Sequence, residues 1–130
     1  TTALSAAMRY EGPLMGFLRS LRPGEVATAP PAVAEIEYGI ARLQDGSRKR
    51  ELLEAQRTRL LATIAVLEWT PSASSHFGRM KAHLERSGEL IDDFDVAIAA
   101  VAAAHGATVV TANLVHFTRI PELAVRHWRE

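Results

Sequence analysis

Three aspartates, Asp92, Asp93 and Asp95, open the stretch "IDDFDVAIAAVAAAHG" (91–106), just ahead of a run that is almost pure alanine and valine. Helix capping accounts for them without any function. An N-cap aspartate accepts backbone N–H bonds, and acids in a first turn favour the positive end of the helix dipole. Asp92 and Asp95 also have the three-residue spacing of a capping box, with Asp in place of Glu. The alternative is that one of these acids is delivered to the wall of a site.

Two further stretches carry polar groups of interest. In "AEIEYGI" (34–40), Glu35 and Glu37 are two apart, roughly 200° around a helix, so they cannot both face one site. Glu35 shares its face with Ala32 and Gly39, small residues that allow close approach; Glu37 shares a flank with Val33 and Ala41. A solvated surface is the commoner fate of a helical glutamate. In "TVVTANLVHF" (108–117), Asn113 follows a buried-looking strand and His116 lies three residues on. Asn113 reads equally well as a turn residue.

Other chemistries are excluded. None of the five histidines makes an HExxH pair, and His76 and His83, seven apart, suit a mixed surface better than a metal. There is no glycine-rich phosphate loop and no G-x-S-x-G elbow. With no cysteine, disulfides, thiolate metal sites and Cys–His nucleophiles are absent, which suits a reducing compartment. Net charge is zero, with 15 basic and 15 acidic residues, so no global field favours nucleic acid or membrane. The run "SRKRELLEAQRTR" is locally basic. Such runs are commonly a solvated helix face, and contact with phosphates or an acidic partner is the other reading. The longest apolar run, Val96–Ala104, is too short to cross a bilayer. The opening "TTALSAAMR" lacks the pattern of a signal peptide.

The elements that position these residues follow from periodicity and punctuation. With 130 residues, 48% of them apolar, one domain over 1–130 is expected. Helices are predicted over "TALSAAMR", "GPLMGFLRSL", "PPAVAEIEYGIARLQ" (30–44), "SRKRELLEAQRTRLLATI" (47–64) and "TPSASSHFGRMKAHLERSG" (70–88), and from Asp92 to about His105. In the first of the long ones Val33, Ile36, Ile40 and Leu43 mark a buried face. Ser47 caps the next, whose Leu52, Leu53, Leu60 and Leu61 should face inward. Gly106 stops the Asp92 helix. Strands are predicted at "EVATA", "AVLEW", "ATVVTAN" and "LAVRHW". This alternation argues α/β with a parallel sheet, whose sites lie beyond the carboxyl ends of strands. Such units usually open with a strand, yet this chain opens inside a helix.

These pieces, in this order, resemble PIN-domain ribonucleases, specifically the VapC-type toxins of bacterial toxin–antitoxin pairs. "IDDFDVAIAAVAAAHGATVVTANLVHFTRIPELAVRHW" resembles the family's Ile-x-x-x-Asp-x-x-Ile-Ala-Ala block, followed by a glycine, a Thr-bounded strand, Asn and a His-Phe or Asp-Phe pair. "AVAEIEYGIARL" resembles its Ala-Glu-Leu-x-Tyr-Gly-Ile helix. "FGRMKAHLERSGELI" resembles the helix leading to the third motif. "TTALSAAMR" resembles the sequence after the family's first aspartate, so the resemblance spans essentially the whole chain.

The resemblance implies a short central parallel sheet flanked by helices, and it assigns residues. The family's helix glutamate falls on Glu35 rather than Glu37, its third-motif aspartate on Asp95, its fourth position on Asn113. These would share one hard divalent cation, Mg²⁺ or Mn²⁺. Asp92 and Asp93 keep the capping role. Asn113 and His116 should line the rim of that site. A further aspartate is expected immediately before Thr1, at the end of a strand that the printed chain does not include. The resemblance also implies an endoribonuclease using a metal-activated water, an RNA substrate such as tRNA, a cognate antitoxin that blocks the site, a homodimer with an apolar groove on the early helices and the 47–64 helix, and the bacterial cytoplasm. The alternative is a catalytically degenerate PIN domain that acts as a binding module, the absent first aspartate being its support.

Overall fold

The computed structural model describes residues 26–111, 113–121 and 123–127. The two helices expected before residue 25 lie outside them. The order is β1 (Ala27–Thr28), α1 (Pro30–Ala41), α2 (Arg48–Leu61), β2 (Ala65–Val66), α3 (Pro71–Arg86), α4 (Asp93–Ala104), β3 (Val109–Val110), α5 (Leu114–Phe117) and β4 (Val125–Arg126). The four expected strands are all present, each trimmed to two residues. They pair in parallel, β1 with β2 (Ala27↔Ala65) and β3 with β4 (Val109↔Val125). Among the described residues these are two separate pairs rather than one sheet.

The predicted punctuation is realised at Ser47, Asp92 and Gly106, and Thr70 adds a cap that was not predicted. Ser47 Oγ accepts from the Arg50 amide, Thr70 Oγ1 from that of Ala73, and Asp92 Oδ1 from that of Phe94 at 2.8 Å. Each ties down one of the amides a helix start leaves unpaired. At the other end of α4, Gly106 adopts φ +65°, the left-handed conformation glycine takes without a Cβ clash. The Ala107 amide then reaches back to the Ala102 carbonyl, and the Gly106 amide to that of Ala103. That is a Schellman ending.

α4 is the centre of the molecule. Val96, Ala97, Ala99, Ala100, Val101 and Ala102 are all buried, because α3 packs on one side of the helix and α1 on another. A helix apolar on all sides requires such surroundings. Its alanines let the neighbours approach closely. The main core joins Met80 and Leu84 of α3 to Val96, Ala99 and Ala100 of α4, Val109 of β3, and Phe117 and Ile120.

α2 departs from expectation. None of its residues is buried, and Leu52 is 55% exposed. Leu53, Leu60 and Leu61 are only half-buried. The reason lies in the spacing. At about 100° per residue the four leucines spread over about 180° of the helix surface, with Leu52 and Leu61 at the two extremes. No single face can bury all four.

α5 is an element the sequence reading did not contain. Its four residues follow Asn113 directly, and Thr118 Oγ1 closes it on the Leu114 carbonyl at 2.8 Å.

Candidate active site at the amino end of α4

Asp95 occupies the third position of α4, inside the first turn opened by Asp92. The reciprocal capping box is not how its carboxylate is used. Asp95 Oδ2 instead lies 3.5 Å from His116 Nδ1, and the same ring nitrogen lies 2.8 Å from Asn113 Nδ2. The two side chains from the β3–α5 turn thus meet the acid from α4. The carboxylate is 20% exposed and the imidazole 39%, so the group sits at the surface with its stems held in protein.

One ring nitrogen cannot accept from an amide and donate to a carboxylate at once. The 2.8 Å contact is a full hydrogen bond, and the 3.5 Å contact is at the limit of one. With Nδ1 accepting from Asn113, the Asp95 oxygens keep acceptor capacity unfilled and Asn113 Oδ1 remains turned from the ring. Both are hard oxygen donors, suited to Mg²⁺ or Mn²⁺ rather than to a softer metal.

Sequence reasoning passed over Thr111. It is buried, 3% exposed, and its Oγ1 accepts from the Asn113 amide at 2.9 Å. Its own amide bonds the Arg126 carbonyl of β4. Thr111 therefore fixes the turn that presents Asn113 to a strand of the sheet. The available signal was a Thr two residues before an Asn at a strand end, an ST-turn pattern.

The glutamates separate as the helix geometry requires. Glu37 is not merely solvated: Arg57 Nη1 of α2 donates to its Oε2 at 2.8 Å. Glu35 is half-buried on α1, one of the helices against α4. Asp93 likewise does more than start a helix, since Lys81 of α3 reaches it at 3.1 Å. Among the described residues, no three His, Asp or Glu side chains gather as a group able to hold a metal ion. The acid–amide–imidazole cluster is therefore part of a coordination shell at most. His76 lies 3.4 Å from Arg79 Nη2 and belongs to no such group.

The PIN-domain family model matches residues 1–123. The chain belongs to the PIN-domain family. Within it the resemblance is to the VapC type. A ribonuclease VapC2 from Haemophilus influenzae is 31% identical over 105 residues, 81% of this chain and 76% of that protein. A tRNA(fMet)-specific endonuclease VapC from Shigella flexneri is 28% identical over 84% of this chain and 80% of that protein. The crystal structure of VapBC2 from Rickettsia felis, bound to a DNA fragment from their promoter, superposes with a TM-score of 0.87 at 26% identity, covering 97% of this chain and 93% of that one. In this chain Asn113 and His116 follow β3 directly, so their cluster with Asp95 lies at the carboxyl end of that strand. Among the described residues, no helix is long and apolar enough to cross a membrane.

Proposed function

We propose that this chain is the ribonuclease toxin of a bacterial toxin–antitoxin pair, hydrolysing RNA phosphodiester bonds in the cytoplasm. The observation that carries the reading is the meeting of Asp95, Asn113 and His116 at one end of α4, in a chain of the PIN family. Asp95, Asn113 and, from the adjacent α1, Glu35 are the residues of this chain that would hold Mg²⁺ or Mn²⁺. Such a cation supplies charge neutralisation at the scissile phosphate and acidifies a water. The chain's own contribution is positional. Thr111 sets the turn, His116 orients the Asn113 amide, and the buried α4 gives Asp95 a rigid base. A cognate antitoxin that covers this site, a tRNA substrate and a homodimer complete the proposal. The vapBC-type complexes and the tRNA-specific relative support the first two.

The test is cleavage of bulk tRNA by the purified protein with Mn²⁺. Cleavage should stop with a chelator and with Asp95→Asn. Cleavage undiminished in Asp95→Asn, with contaminating nuclease excluded, overturns the assignment. A second reading is a degenerate PIN domain that binds without cutting. Among the described residues Asp95 and His116 meet without a third His, Asp or Glu beside them, which is the observation on its side. RNA binding without cleavage in the wild type identifies it.

A further inference from the structure

A cleft of about 480 Å³ opens at the carboxyl end of α4, between that helix, α3 and the segment leading into β4. Asp95 stands in the first turn of the same helix. Ala103, the first α4 residue on the cleft, lies eight positions further on, which is about 12 Å along the axis. The cleft is therefore separate from the Asp95 cluster. Its floor is apolar: Met80 is buried, and Ala103, Ala107 and Leu123 are half-buried against the main core. A floor made from the outer surface of the core is formed before anything binds. The polar groups are His76 and Arg79, one turn apart on α3. Arg79 Nη2 lies 3.4 Å from His76 Nδ1. A guanidinium only donates, so Nδ1 is the acceptor, and the neutral ring carries its proton on Nε2. The pair thus offers the cleft donors and positive charge. Arg50, Arg57, Lys81 and Arg119 each stand beside a carboxylate. Among the described residues Arg79 has none, and no Asp or Glu lines the cleft.

A preformed apolar hollow of this size, with a few polar groups at one side, has the form of a small-molecule site. Donors and positive charge without a balancing acid select an anion, and a guanidinium matches the two oxygens of a carboxylate. We propose that this cleft binds a carboxylate carried on an apolar body. Arg79 and His76 hold the carboxylate, and Met80, Ala103 and Leu123 meet the body. The carboxylate belongs to a free organic acid or to the chain terminus of a peptide. The inference goes beyond the nuclease reading and does not depend on it.

The test is titration of the isotope-labelled chain with phenylbutyrate, followed by amide NMR. The amides of Gly106, Ala107 and Ala124 should shift and saturate together, while those of Asn113 and His116 stay in place. Phenylbutylamine and phenylbutanol, which keep the body and lack the carboxylate, should bind about tenfold more weakly. Arg79→Gln should weaken phenylbutyrate binding about 3- to 10-fold and leave the amine unaffected. Ala124→Trp should abolish binding by filling the mouth of the cleft. Ala124 is exposed, and the bond from the Val109 amide to its carbonyl does not involve the side chain, so the fold is kept. The dipeptide N-acetyl-Ala-Phe, as the free acid and as the amide, separates the two sources. Tighter binding of the peptide acid than of phenylbutyrate, lost in its amide, identifies a peptide terminus; the reverse order identifies a free organic acid. No saturable shift with either acid, equal binding of phenylbutylamine, or undiminished binding in both variants overturns the proposal.

Discussion

Asp95 and His116 are 21 residues apart in the chain, yet Asp95 Oδ2 and His116 Nδ1 lie 3.5 Å apart. α4 brings the acid from its first turn, and β3 followed by α5 brings the ring. Between them lies the whole of the buried alanine helix, so the contact is only as rigid as that packing. His116→Ala should lower cleavage about 10- to 100-fold, the usual loss when a side chain that orients a ligand is removed. Single-turnover rates check it, and wild-type cleavage by His116→Ala withdraws the role.

The two helix glutamates should behave oppositely. Glu35→Gln should abolish Mn²⁺-dependent cleavage. Glu37→Gln should leave most of it and lower stability by about 0.2–1 kcal/mol, through loss of the partly exposed Arg57 pair. Parallel cleavage assays and urea melts decide this. Equal losses of activity contradict the separation of roles.

The aspartates at 92 and 95 should also separate. Asp92→Ala removes the cap on the Phe94 amide and should cost about 1 kcal/mol of stability while cleavage at saturating RNA persists. Asp95→Asn should do the reverse, with the melt nearly unchanged and activity lost. A single measurement of Tm and rate on both variants is sufficient.

Thr111→Val keeps the shape of a buried residue and removes the hydroxyl that accepts from the Asn113 amide. It should lower Mn²⁺ affinity and kcat together. Thr111→Ser should retain both. Titration of Mn²⁺ binding and of cleavage in the two variants reads the difference, and a Thr111→Val protein that binds Mn²⁺ like wild type removes Thr111 from the site.

Packing around α4 predicts the stability of the scaffold. Leu84 is fully buried against it, and Leu84→Ala should cost about 2–5 kcal/mol. Ala99, with no exposed surface, should resist enlargement, and Ala99→Leu should cost about 1–3 kcal/mol by overpacking. Denaturant melts check both. A neutral Ala99→Leu is inconsistent with the close approach of the helices around α4.

What the sequence determined by itself was local. Ser47, Thr70 and Asp92 cap because their side chains reach amides two or three residues away, and Gly106 ends α4 because only its own φ is at stake. The 3.6-residue turn alone separates Glu35 from Glu37. The family motif, read as a pattern, pointed to Asp95, Asn113 and His116. Tertiary structure decided the rest. Whether Asp95 serves the cap or reaches His116 depends on where β3 and α5 arrive, and nothing within 91–106 encodes that. Arg57 claims Glu37 and Lys81 claims Asp93 across helix–helix contacts that periodicity does not reveal. The leucines of α2 looked buried as a set because hydrophobicity is counted along the chain, whereas burial depends on which direction a neighbour comes from. Short-range hydrogen bonds are written into adjacent residues, while the partners of a surface side chain are set by how the helices pack.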